Sequence, residues 1–95
     1  MIAVANRIPV AEGQEDRFEE RFRNSAEKID DREGFLRLEI LRPVDAERYI
    51  ILTYWESKKD FEDWTSSQEF KDAHSDLPMD MFEGKNEIEI HEVVN

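Results

Sequence analysis

The spacing of apolar positions along this chain switches between two and three-to-four residues, and the switches mark out its elements. Residues 2–10 alternate, with Ile2, Val4, Asn6, Ile8 and Val10 on one face, which predicts a half-buried strand. Gly13 interrupts, and over residues 14–30 Phe18, Phe22, Ala26 and Ile29 recur at helical spacing, with Glu19 and Arg23 as an i,i+4 ion pair. After Gly34, Phe35 to Leu41 predicts a second strand, with Leu36, Leu38 and Ile40 opposing Phe35, Arg37, Glu39 and Leu41. Pro43 closes it, and Val44 to Glu47 forms a turn. Tyr49 to Trp55 is the third strand.

Ser57 with Asp60 predicts an N-cap and an acidic first turn for a helix carrying Phe61 and Trp64. Ser66 and Glu69 form the S-x-x-E capping box of a new start that leads to Phe70 and His74. Residues 75–84, with Pro78, Met79 and Met81, read as a loop whose methionines cover a pocket mouth. Asn86 to Val94 is the last strand, with Ile88, Ile90 and Val94 opposite Glu87, Glu89 and His91. The order β-α-β-β-α-β predicts an α+β, ferredoxin-like domain spanning residues 1–95, with helices on one face of an antiparallel sheet.

The third strand departs from alternation. Tyr49-Ile50-Ile51-Leu52-Thr53-Tyr54-Trp55 is a nearly continuous apolar run, which requires cover on both faces. One helix layer covers one face, so a second copy of the chain is the simplest cover for the other, and a homodimer is expected. A chain of 95 residues buries only about 60–68% of its unfolded surface, which also favours a partner.

Composition narrows the chemistry. There is no cysteine, so disulfides, thiolate ligands and cysteine nucleophiles are excluded. With 24 acidic and 13 basic residues the net charge is −11, which repels nucleic acid. Either a halophilic source or ordinary solubility accounts for such a surface. No apolar run reaches the ~20 residues of a membrane span and the N-terminus has no signal-peptide layout, so no membrane is expected and the cytoplasm is the default location.

Three side chains carry the candidate chemistry. Asn6 falls on the apolar face of its strand, where an unsatisfied amide costs about 1–3 kcal/mol, so it has either a structural hydrogen-bond partner or a task. His74 lies one helical turn after Phe70, and its imidazole reads either as a partly buried helix histidine or as an iron ligand. Trp64 and His74 on one straight helix would stand about 80° apart, whereas a re-start near Ser66 lets both meet one cavity. His74 and His91 are the only histidines and lie on different elements, which argues against other metal centres. Trp55 and Phe61 read as core, and Arg7 and Arg37 as surface ion pairs.

Asn6, Trp64 and His74 together resemble a known pattern. Val4-Ala5-Asn6, Glu20-Arg21-Phe22, Gly34-Phe35-Leu36, Leu41-Arg42-Pro43-Val44 and Thr53-Tyr54-Trp55-Glu56-Ser57 are similar to the antibiotic biosynthesis monooxygenase (ABM) domains. The trio resembles the IsdG-type haem-degrading members in particular, and the middle of the chain is most similar to the mycobacterial branch. The resemblance implies a dimeric α+β barrel, with haem as both cofactor and substrate, dioxygen, and an external electron donor or reductase. It implies that His74 ligates the iron, that Phe22 and Phe70 contact the macrocycle, and that Trp64 distorts it. Asn6 would donate its amide to dioxygen from across the haem. Two departures stand out: a loop at 75–84 shorter than in staphylococcal members, and Ser25 where the mycobacterial branch has an arginine. Two other readings compete with haem degradation. One is a cofactor-free monooxygenase of quinols or polyketide phenols with His74 as general base; the other is a dimeric haem carrier that does not turn over.

Overall fold

A computed structural model describes residues 1–75 and 78–95, residues 73–75 by their backbone alone. The elements run β1 (Ile2–Ile8), α1 (Glu15–Ile29), β2 (Phe35–Leu41), β3 (Tyr49–Trp55), α2 (Lys58–Thr65), α3 (Gln68–Ser75), a 3-10 turn (Met79–Met81) and β4 (Glu87–Glu92). The strands form one antiparallel sheet in the order β2-β3-β1-β4. This is the ferredoxin-like arrangement that the alternation of periods predicts.

Local chemistry explains the boundaries. Glu15 and Asp16 place negative charge in the first turn of α1 and Lys28 positive charge in its last, each matched to the helix dipole. Ser57 caps α2 by accepting from the Asp60 N–H at 3.2 Å. Gly34 adopts φ +82°, and a Cβ there would run into the Asp60 side chain, so the turn before β2 requires glycine. The break between α2 and α3 is real, but its cap is not Ser66. Ser66 closes α2, with its N–H reaching the Glu62 and Trp64 carbonyls. Ser67 accepts from the Phe70 N–H at 3.1 Å and donates to the Trp64 carbonyl at 2.6 Å, so one hydroxyl ends one helix and starts the next.

On β3, Tyr49, Ile51, Thr53 and Trp55 are buried toward the helices, while Ile50, Leu52 and Tyr54 are half-buried on the outer face. The register sets Ala3 against Tyr54 and Ala5 against Leu52, so small residues of β1 extend an apolar stripe there. The core has two lobes: Ile8, Phe18, Tyr49, Ile51 and Met81 in one, and Val4, Ile29, Trp55 and Trp64 in the other.

Three further expectations need correction. The regular ladder of β1 ends at Ile8, because Pro9 has no N–H to donate; Val10 makes only an isolated bridge to Phe82. A register shift between Phe35 and Arg37 makes Leu36 a bulge residue, so Phe35 turns inward onto Trp55, with ring centroids 5.4 Å apart, and Leu36 stays exposed. Met81 is no pocket cover. The 3-10 turn drives it into the core at 2% exposure, and its carbonyl accepts from the Ala11 N–H at 2.8 Å. Met79, by contrast, is exposed at a cavity.

Candidate active site

Among the described residues the helices pack chiefly over β2 and β3, and no helix makes more than a slight contact with β4. There a cavity of about 1120 Å³ opens between sheet and helices. That is slightly above the roughly 300–1,000 Å³ usual for small-molecule sites. Val4, Asn6, Ile8, Ile51, Thr53 and Ile88 form its floor. Phe22, Ser25 and Ile29 of α1 form one wall; Phe61, Trp64 and Phe70 of α2 and α3 form the other.

Asn6 projects from β1 on the helix-facing side, between Ile51 of β3 and Ile88 of β4 in register. Its partner is a side chain, not backbone: Asn86 Nδ2 donates to Asn6 Oδ1 at 2.8 Å. Trp64 is 9% exposed and belongs to the core and the cavity wall at once. Phe70 meets the indole edge to face, 5.5 Å between centroids at 87°. Arg32 lies 5.5 Å from the indole centroid and pairs with Glu69 at 3.7 Å, which braces the ring from outside. Phe22 stacks on Phe18 at 4.6 Å and faces the cavity. Ser25 donates to the Arg21 carbonyl at 3.1 Å, so its hydroxyl serves its own helix.

Asn6, Trp64, Phe22 and Phe70 therefore meet at one cavity. Position 74 falls in the last turn of α3, one turn beyond Phe70; the His74 side chain lies outside the described residues. Met79 lines the cavity. Arg7 and Arg37 do not reach it. Arg7 pairs with Glu89 at 3.7 Å, and Arg37 with Glu39 at 3.9 Å while lying over the Tyr54 ring. His91 sits beside Ala3 in register, on the outer face. Among the described residues, no three His, Cys, Asp or Glu side chains gather as a metal site, and no helix is long and apolar enough to cross a membrane.

The cavity lining carries three cations against two carboxylates, Glu69 and Asp72, in a protein whose net charge is −11. The cations are Arg21, Lys28 and Lys85, and among the described residues none of them has a carboxylate within ion-pair distance. Every other arginine does. Sequence reasoning missed these cations and Asn86. The signal for Asn86 was available: it precedes Ile88 by two residues, which puts it on the Asn6 face of a strand pairing with β1.

A second polar cluster, also missed, lies on the far side of α1. Glu19 is 5% exposed and accepts from Arg42 Nε at 2.8 Å, from Arg42 Nη2 at 2.6 Å, and from the Tyr49 hydroxyl. The Arg42 guanidinium, and then the Tyr49 hydroxyl, lower the Glu19 pKa from 4.5 to about 2. Burial, and then the bond to Glu19, raise the Tyr49 phenol. The expected Glu19–Arg23 pair is present at 3.2 Å but is the outer part of this network. Glu19 stands three residues before Phe22 on the apolar stripe, and a carboxylate in that position marks a buried partner.

The chain is similar to proteins already known. A heme-degrading monooxygenase of Halalkalibacterium halodurans is 35% identical over 98% of this chain and 82% of its own length. One from Bacillus mycoides is 42% identical over 79% and 72%. Among solved structures, the heme-degrader MhuD of Mycobacterium tuberculosis, with two hemes bound in its active site, superposes with a TM-score of 0.86 at 29% identity, covering 100% of this chain and 97% of that one. The antibiotic biosynthesis monooxygenase model matches residues 1–76, and the chain belongs to that family.

Proposed function

We propose that this protein is an IsdG-type haem-degrading monooxygenase, placed beside the mycobacterial member of its family, which opens the porphyrin and releases iron. Haem is its substrate and supplies the iron at which oxygen chemistry occurs. The observation that carries the reading is the wall composition of the cavity. Two amides, one indole and four phenyl rings line a space large enough for a flat macrocycle, and cations without an ion-pair partner among the described residues line it too. Relatives named for haem degradation support the same reading.

The residues divide the work as follows. Phe22, Phe70 and the aliphatic floor exclude water and hold the ring plane. Arg21, Lys28 and Lys85 neutralise the two propionates, reversing locally the repulsion that a net charge of −11 imposes on an anionic ligand. His74, on the helix turn after Phe70, would hold the haem iron. Asn6 would offer hydrogen-bond donors from the sheet, and Trp64, braced by Arg32, would press on the macrocycle. The reaction takes dioxygen and electrons from an external reductant. The assembly is a homodimer of single-domain chains, 1–95, joined through the outer face around Ile50, Leu52 and Tyr54.

Hemin titration tests the reading. A Soret band appears on binding; ascorbate with catalase then bleaches it and yields a bilin-like absorbance. A Soret band that survives the reductant would make the protein a carrier, and no Soret band at all would remove haem as its ligand.

A further inference from the structure

The structure assigns Asn86 as a positioning residue: its amide holds the Asn6 carboxamide with Nδ2 toward the cavity, so that the floor presents hydrogen-bond donors at that point and no carbonyl. This deepens the haem reading above and rests on it.

A carboxamide has a donor end and an acceptor end of nearly the same shape, so a lone asparagine on a cavity floor can present either. Asn6 is not alone. Asn86 Nδ2 donates to its Oδ1 at 2.8 Å, and no Asn6 Nδ2 donation to a protein acceptor is found among the described residues. Turning Asn6 over alone would set the two NH2 groups against each other and lose that bond, so the sense of Asn6 follows that of Asn86. Asn86 is itself well placed to act in this way. It directly precedes β4, whose residues pair with β1 from Ile2↔Glu92 to Arg7↔Glu87, so the ladder fixes its backbone beside Asn6. Arg48 adds a second tie at this corner, donating to the Lys85 carbonyl at 3.3 Å and pairing with Glu87 at 3.3 Å. Asn86 lines the same cavity without being needed for its apolar walls. With Asn86 as the donor of the pair, Asn6 discriminates: a ligand atom above it must accept a hydrogen bond.

The test uses the hemin-loaded full chain and three variants at position 86. Asn86→Asp keeps the shape but can only accept, so Asn6 turns to donate to the new carboxylate and shows Oδ1 to the cavity. Asn86→Ala releases Asn6, and Asn86→Gln keeps the donor. In Asn86→Asp, hemin affinity is expected to stay within about threefold and turnover with ascorbate to fall about tenfold or more. The C–O stretch of the ferrous carbon monoxide complex should shift in the direction seen for Asn6→Ala. Asn86→Ala should show an intermediate loss and Asn86→Gln should recover part of it. Because Asn86 acts through Asn6, the double variant Asn6→Ala/Asn86→Asp should turn over no more slowly than Asn6→Ala. Unchanged turnover and C–O stretch in Asn86→Asp, or additive losses in the double variant, would overturn the assignment. Side-chain amide NMR of the hemin-free protein separates this from failure of the haem reading. Asn86→Asp should move the Asn6 NH2 resonances downfield as they bond the carboxylate, whether or not hemin binds; unmoved resonances would refute the pairing.

Discussion

Trp64→Phe separates a residue that packs from a residue that acts on the ligand. The indole is 9% exposed, sits in the lobe with Val4, Ile29 and Trp55, and also faces the cavity. An indole buries about 50 Å² more than a phenyl ring, and at ~25 cal/mol per Å² that difference contributes about 1 kcal/mol. Weakening the Arg32 contact at 5.5 Å adds about 0.5–1 kcal/mol. The variant should therefore lose about 1–2 kcal/mol in urea, a tolerable part of the ~5–15 kcal/mol of an ordinary domain. Packing alone ends there. A smaller ring that no longer presses on the macrocycle should also slow degradation about tenfold, or ~1.4 kcal/mol in barrier, at equal haem occupancy. Vibrational markers should report a flatter porphyrin. Met81→Ala is the control, since Met81 is buried in the other lobe and does not line the cavity. It should lose more stability than Trp64→Phe and leave the rate per bound haem unchanged. Equal rates in wild type and Trp64→Phe, with equal occupancy, would return Trp64 to the core.

Met81→Ala should cost about 2–5 kcal/mol in chemical denaturation, whereas Met79→Ala, at 87% exposure, should stay within about 0.5 kcal/mol. His74→Ala should weaken hemin binding tenfold or more by Soret titration with the circular dichroism intact, while His91→Ala on the outer face should bind as wild type. The depressed Glu19 pKa means that its network stabilises the fold fully above the unfolded value of 4.5, and that this contribution is lost as pH falls towards about 2. Glu19→Gln should therefore lower the melting temperature at pH 7, with the gap to wild type closing between pH 4.5 and 2; a gap that is constant with pH refutes the linkage. Light scattering at micromolar protein should find a dimer, and Leu52→Glu, placed opposite Ala5 and Glu39 in the sheet, should make it monomeric; a monomeric wild type removes the outer-face interface.

Most of the fold was legible because each element carries its own period. The alternation of β1 and the three-and-four spacing of Phe18, Phe22 and Ile29 are set by local geometry, and the structure keeps both. What escaped depends on contacts between distant residues or on single hydrogen bonds. Ser66 and Ser67 are adjacent and chemically identical, so only the Phe70 N–H could decide which one caps α3. The bulge at Leu36 inverts the facing of one residue without altering the composition of the strand. Met81 could not be assigned to the core without knowing that a 3-10 turn returns the chain to Ala11. Glu19 shows the same limit from the polar side: its i,i+4 partner was visible, but its stronger partner Arg42 is far along the chain.

The candidate site was legible for a related reason, and only as far as that reason extends. A helix layer that reaches β2 and β3 leaves the helix-facing side of β4 bare, which is why Ile88 and Ile90 remain 52% and 40% exposed although their strand alternates like a half-buried one. Alternation records that a face must be covered; it does not record by what. On the outer face the same pattern in β3 points to a second copy, because the stripe of Ile50, Leu52 and Tyr54 is continuous with Ala3 and Ala5 and crosses the sheet. On the inner face the apolar floor is interrupted by Asn6 and overlooked by unpaired cations. A protein surface with those features would leave an amide and several charges poorly matched, whereas a flat ligand with an apolar centre, an acceptor above the sheet and carboxylates at its rim satisfies each of them. The two bare faces of one small sheet thus call for different occupants, and the polar interruptions, more than the apolar pattern, distinguish them.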